Sequence, residues 1–449
     1  MKRTFIKNAT IINEDRSFIG CLLIEDDLIA NIFEGTHADV HCDEIIDAQD
    51  CLLLPGIIDT HVHFRDPGLT YKADLESESL AAAAGGVTSY FDMPNTIPQT
   101  TTIEALEDKY HQASIKSHIN YSFYFGATNT NYILFPELDI KQICGIKLFM
   151  GASTGNMLVD KTEALTEIFS KAPMIITAHC EDTTLINENI KRYKKIYGDD
   201  PSIIYHPLIR NEEACVKSSS CAIRLARKTG ARLHIAHIST KKETTLLDSA
   251  PLLKKQITAE VCISHLYFTN QNYLTFGTRI KCNPSIKSVT DRDALRQAVN
   301  DGKIDTIATD HAPHLLREKE GGCLKAASGM PMVQFSLITM LELSDEGIFT
   351  KETIVKKMCH APAELFQIEK RGFLRKGYKA DLVLVNRLKR TWILTNKEIV
   401  SKCKWSPMEG HAYHWRVQRT FVNGQTIYNA KIDNPFNDKI LGERLTFNR

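Results

Sequence analysis

His61 and His63 stand two residues apart at the end of an apolar run, GIIDTHVH (56–63). If that run is a strand, its period of two puts both imidazoles on one face, which suits two ligands on one metal. Surface His pairs share this spacing, so the pair alone decides little. The ends of the other apolar runs decide more: His179 closes ITAHC, His237 closes LHIAHI and Asp310 closes IATD. Four histidines and an aspartate are donors suited to Zn²⁺ or a similar divalent ion. Any one of these histidines reads equally well as a hydrogen-bonded core residue; four at matching ends do not.

Lys147 lies in GIKLFM with apolar neighbours on both sides. A buried ammonium without a partner is costly, and one facing metal cations is worse. CO₂ addition would turn the amine into a carbamate, an anion with two oxygens able to bridge two ions. No Asp or Glu occurs from 147 to 159 to supply a competing bridge. The other readings are a snorkelling or ion-paired lysine and a Schiff-base amine. Two ions about 3.5–4 Å apart would lower the pKa of a bridging water and polarise a carbonyl. Asp310 would then hold one ion, accept the nucleophile's proton and pass it to a leaving nitrogen.

Such residues need elements that bring them together. Eight apolar runs alternate with helical patterns between residues 56 and 311: 56–63, 88–93, 120–127, 145–150, 174–180, 232–238, 257–265 and 306–311. Most are too apolar for a sheet wetted on one face, as expected of parallel strands covered by helices. Eight βα units predict an α/β fold with a (β/α)₈ TIM barrel, whose active site lies where the strand C-termini converge. Thr101 with Glu104 reads as a capping box before EALEDKYHQA, and Gly230 as the stop after NEEACVKSSSCAIRLARKT. Residues 1–54 and 372–449 alternate in β-like runs, with Asn423-Gly424 as a hairpin turn. Neither flank has an obvious core of its own. Both are therefore expected to join in one small composite β-sandwich domain beside a barrel spanning 55–371, the alternative being two independent flaps.

The 449-residue chain carries 55 Lys plus Arg against 54 Asp plus Glu. No net field favours nucleic acid or an anionic membrane. The opening residues lack the apolar core and cleavage site of a signal peptide, and no stretch approaches 18 uncharged apolar residues. A cytoplasmic protein is expected. Twelve scattered cysteines without a CxxC pair read as reduced thiols.

In order along the chain, GIIDTHVHFRDPG, FDMPNT, GIKLFMGASTGN, AHCED, IAHIST, EVCISHL, NPSIK and ATDHAPH resemble the amidohydrolase superfamily and, within it, the dihydroorotases. GFLRKGYKADLVLVN and SPMEGHAYHWRVQRTFVNGQTIYN resemble that superfamily's composite β domain, so the resemblance covers nearly the whole chain. It implies two divalent metal ions, expected to be zinc, on His61, His63, Lys147, His179, His237 and Asp310, with a CO₂-derived carbamate on Lys147 and Asp310 as the catalytic proton shuttle. It further implies that Arg65, Asn95 and His314 bind a ring carboxylate, which an arginine fork suits. Asn283 and the Gly329-Met330-Pro331 backbone would contact the ring. His265 falls outside the ligand set, and residues 312–330 read as a lid or an ordinary barrel loop.

The reaction so implied is reversible hydrolysis of (S)-dihydroorotate to N-carbamoyl-L-aspartate in de novo pyrimidine biosynthesis, by attack of metal-bound hydroxide. Some dihydroorotases bridge their metals with Asp, whereas Lys147 followed by FMGASTG is closer to the hydantoinase style. Hydantoinase, dihydropyrimidinase or allantoinase activity on another cyclic amide is therefore the second reading, and a metal-free scaffold the third. The expected partner is a small-molecule substrate. A homodimer is the default, and association with aspartate carbamoyltransferase, the preceding pathway enzyme, is the further expectation.

Overall fold

Each of the eight apolar runs becomes a strand in the computed structural model, which describes residues 2–36, 38–151 and 157–449. The barrel strands are Ile57–Val62, Val87–Asp92, Asn120–Phe123 continuing as Phe125–Gly126, Ile146–Phe149, Ile176–His179, Leu233–Ile235, Ile257–Cys262 and Thr306–Ala308. Neighbours pair in parallel, and a bridge between Val62 and His311 joins the last strand to the first. Nearly every strand residue is buried, as a sheet covered by helices requires. The strands and helices share one continuous apolar core.

The strands of both chain ends form one eight-stranded sheet. Its order runs Gln425–Asn429, Ala412–Val422, Leu382–Ile393, Cys51–Pro55, Arg3–Asn13, Arg16–Glu25, Leu28–Glu34, with Glu44–Asp47 added beside Arg3–Asn13. The segment Cys51–Pro55 is the joint, antiparallel to Leu382–Ile393 and parallel to Arg3–Asn13. The curled sheet encloses a core of its own, in which Ile11, Leu22 and Leu53 from one end meet Leu382, Leu384 and Phe421 from the other. The α/β barrel with a small composite β-sandwich is thus present. Asn423 and Gly424 take the left-handed backbone of a tight hairpin turn, with φ of 49° and 76°.

Three local expectations need correction. The 103–116 helix is capped by Thr102, whose hydroxyl accepts from Ala105 N–H at 3.2 Å, not by Thr101. Ile103 packs on the core and sets the start one residue later. The seventh strand ends at Cys262, because Ile263–Tyr267 turns into a helix at the barrel mouth. Within 372–449, the last residues leave the sheet: Tyr121 N–H donates to Glu443, and the Arg449 guanidinium donates to carbonyls of Ile143, Cys144 and Phe366 at the barrel. Gly230 does close the 212–229 helix in the left-handed conformation. All twelve cysteines are free, and among the described residues no helix is long and apolar enough to cross a membrane. The tail of GIKLFMGASTGN, residues 152–156, lies outside the described residues.

Candidate active site

All ten residues singled out in the sequence line one cavity of about 470 Å³ at the C-terminal ends of the barrel strands. Strand geometry brings them there. His61 lies on the first strand with His63 just beyond it, and their rings are 5.6 Å apart. In the register of the fourth and fifth strands Phe149 lies beside His179. Lys147, on the same face two residues earlier, therefore sits one pleat deeper. Arg65, His237 and Asp310 follow their strands in left-handed backbone, with φ of 68°, 36° and 48°. Such conformations cost non-glycine residues roughly 1–3 kcal/mol each, and their clustering here turns these side chains into the mouth. Gly329 is required for the same reason of space: a Cβ there would lie 2.6 Å from the Ala312 carbonyl oxygen, at φ 131°.

The donor atoms converge. Asp310 Oδ1 lies 3.1 Å from His63 Nε2 and 3.4 Å from His61 Nε2, and these three residues form a group able to hold a metal ion. His179 Nδ1 is 2.9 Å from His237 Nε2. Anchors fix the far side of three of the four rings: buried Glu260 Oε1 is 2.7 Å from His61 Nδ1, half-buried Asn95 Oδ1 is 2.7 Å from His63 Nδ1, and buried Glu181 Oε2 is 3.0 Å from His179 Nε2. A carbonyl or ionised carboxylate oxygen only accepts, so the anchored nitrogens carry the protons and the opposite lone pairs face inward. Arg210 pairs with Glu181 in turn.

Electrostatics favour lone-pair donors. Burial holds His63 down at about 4, although its hydrogen bond to Asp310 pulls the other way. His179 and His237 are likewise lowered by burial. Burial pushes Asp310 and Glu260 up, but the neighbouring histidines outweigh it; Asp310 is held at about 2, and Glu260 well below the usual carboxylate range. Desolvation lowers Lys147 to about 8. Its Nζ and His237 Nδ1 are buried without a hydrogen-bond partner among the described residues. Histidine lone pairs, an ionised carboxylate and an unpartnered buried amine fit divalent cations.

Asn283 Oδ1 is also buried and unpartnered among the described residues, and Asn283 lines the same cavity. Arg65 is buried, with Nε donating to the Pro313 carbonyl at 3.2 Å and Nη2 3.1 Å from His314 Nε2. His265 stands outside the donor set, its Nε2 3.1 Å from the Pro284 carbonyl. Residues 323–329 form one wall of the cavity. Asp200 accepts from the backbone N–H groups of Gly322, Leu324 and Lys325, and buried Lys319 donates to the carbonyls of Lys281, Ala327 and Gly329.

Sequence reasoning missed Glu260, Glu181 with Arg210, and Lys319. Glu260 alone left a signal, an acid inside an otherwise apolar strand run.

The amidohydrolase family profile matches residues 52–427. The dihydroorotase of Methanosphaera stadtmanae is 31% identical over 414 residues, covering 92% of this chain and 93% of that one. That of Lactobacillus helveticus is 32% identical over 430 residues, covering 95% and 99%. Among solved structures, the L-hydantoinase (dihydropyrimidinase) from Arthrobacter aurescens superposes with a TM-score of 0.92 at 27% identity, covering 99% of this chain and all of that one. With the profile spanning the whole barrel and the sheet strands Leu382–Ile393 and Ala412–Val422, the chain belongs to the amidohydrolase family.

Proposed function

We propose that the chain is a dihydroorotase, which opens the cyclic amide of (S)-dihydroorotate to N-carbamoyl-L-aspartate and catalyses the reverse ring closure in pyrimidine biosynthesis. The observation that carries this reading is the pairing of buried Arg65 with His314 in the cavity that holds the histidine, lysine and aspartate donors. A carboxylate clamp beside a hydrolytic centre suits a ring bearing a carboxylate. The two dihydroorotase relatives support the same substrate. The hydantoinase neighbour supports the fold and the chemistry of cyclic amides, but hydantoin and dihydrouracil carry no carboxylate for the clamp.

In this reading His61, His63 and Asp310 would hold one divalent ion and His179 and His237 the other. Lys147, as a carbamate, would serve both. When bound, the ions, expected to be zinc, polarise the scissile carbonyl and supply hydroxide at neutral pH. Arg65 and His314 orient the substrate carboxylate, and Asn283 Oδ1 accepts from a ring N–H. Asn95, expected on the carboxylate, holds His63 through its Oδ1. Ionised Asp310 takes the proton shed by the attacking water and returns it to the leaving ring nitrogen.

Ultraviolet assay of the purified chain tests the reading, with dihydroorotate compared against dihydrouracil and allantoin and with metal content and Lys147 mass measured on the same sample. Preference for dihydroorotate with about two metals per chain is expected. Preference for an uncharged ring would transfer the assignment to hydantoinase-like chemistry, and protein purified without chelator yet free of divalent metal would favour a scaffold. Repeating the assay with aspartate carbamoyltransferase present, and measuring mass by light scattering, tests the expected partner and homodimer.

Glu260→Gln gives a second prediction. It removes the charge that holds His61 Nδ1–H, and metal affinity should fall on the order of 10- to 100-fold. Competition with a chromogenic chelator reads this directly; unchanged affinity would deny Glu260 its orienting role.

A further inference from the structure

We propose that Lys72 is a positioning residue for substrate: its ammonium fixes the tautomer of His314, so that His314 Nε2 presents a proton beside Arg65 to the substrate carboxylate. This deepens the dihydroorotase reading and rests on it for the identity of the anion.

Lys72 is buried in the loop between the first barrel strand and the helix Leu75–Ala84. Its Nζ lies 3.1 Å from His314 Nδ1 and 3.3 Å from Glu318 Oε1. An ammonium has three donors and no lone pair, so at this contact Nδ1 must accept. The ring is then neutral, with its proton on Nε2. Glu318 could compete for Nδ1 only as the acceptor of an Nδ1 proton, and at 3.6 Å its Oε2 is too far. Burial and the surrounding cations Arg65, Lys72 and Lys319 also hold His314 far below its ordinary range, against the imidazolium.

Nε2 lies 3.1 Å from the Ser328 carbonyl, which accepts, and 3.1 Å from Arg65 Nη2, which cannot. A guanidinium, too, has donors only. The Nε2 proton is given to the Ser328 carbonyl, and Arg65 Nη2 is a second donor with no acceptor at this contact; a substrate carboxylate seated between them would accept from Nη2 and share the Nε2 proton. The frame around them is rigid. Trp405 Nε1–H donates to the His314 carbonyl at 2.6 Å, and Glu318 accepts from Tyr71 O–H at 2.8 Å and Leu315 N–H at 2.7 Å while it pairs with Lys72. Asp74 caps the helix that follows Lys72 and pairs with Lys402.

The test is long-range ¹H–¹⁵N correlation on full-length protein labelled in histidine, with His314 assigned by its loss in His314→Gln. The wild type should show Nδ1 bare and Nε2 protonated at neutral pH without substrate. Lys72→Met should mix the tautomers and raise KM for dihydroorotate on the order of tenfold, as expected for a charge-assisted hydrogen bond, far more than it lowers kcat. Lys72→Arg should restore both, because a guanidinium also only donates. A wild-type proton on Nδ1, or on both nitrogens, would overturn the proposal, as would Lys72→Met with unchanged tautomer and KM. Failure of the wild type to turn over dihydroorotate would sink the substrate reading instead, which the spectrum does not depend on.

Discussion

Asp310→Asn is expected to lower turnover of dihydroorotate by about 10³–10⁴-fold while the barrel stays folded. Asparagine keeps the shape of aspartate and one oxygen, which could still share a cation with His63 and His61, whose Nε2 atoms lie 3.1 and 3.4 Å from Asp310 Oδ1. What it loses is the capacity to take a proton. Burial alone would raise the Asp310 carboxyl, but His61 and His63 hold it at about 2, so in the proposed cycle it would begin ionised, as an acceptor. Its left-handed backbone, φ 48°, fixes the direction in which it enters the mouth. Metal content on the same sample separates a lost ligand from a lost proton acceptor. If metals are retained and the rate falls less than about tenfold, the proton relay belongs to another group.

Arg65→Met should reduce kcat/KM for dihydroorotate by about 10²–10³-fold, since truncating one partner of a buried charge pair costs 2–5 kcal/mol. Methionine preserves the length and apolar volume of the side chain and removes only the fork. Metal content should stay unchanged, because among the described residues Arg65 bonds to the Pro313 carbonyl and His314 and to none of the proposed metal donors. Slow turnover of uncharged rings should be unaffected. Arg65→Lys should recover little, because an ammonium cannot make the bidentate contact. Paired kinetics on dihydroorotate and dihydrouracil measure the difference directly. Normal dihydroorotate affinity in Arg65→Met would remove the carboxylate clamp and with it the main support for the substrate.

His61, His63, His179, His237 and Asp310 were legible because each sits at the end of an apolar run, and parallel strands in a closed barrel have their C-termini on one side. The period of two placed His61 and His63 together, and the apolar setting of Lys147 marked an amine in need of a partner. Fold class, the joining of both chain ends and the free cysteines followed from run lengths, alternation and spacing, all of them local properties that a linear pattern carries.

The groups that orient these residues were decided by tertiary structure alone. Glu260 anchors His61 across 199 positions of sequence, Lys72 meets His314 across 242, and Trp405 reaches the His314 carbonyl across 91. No periodicity encodes such pairings. They arise where the barrel closes and its loops fold over the mouth. The same holds for the helix cap at Thr102, set by the packing of Ile103, and for the end of the seventh strand at Cys262. The sequence by itself determined which groups gather at the barrel mouth; how each is aimed, protonated and held was decided by contacts between segments that only folding brings together.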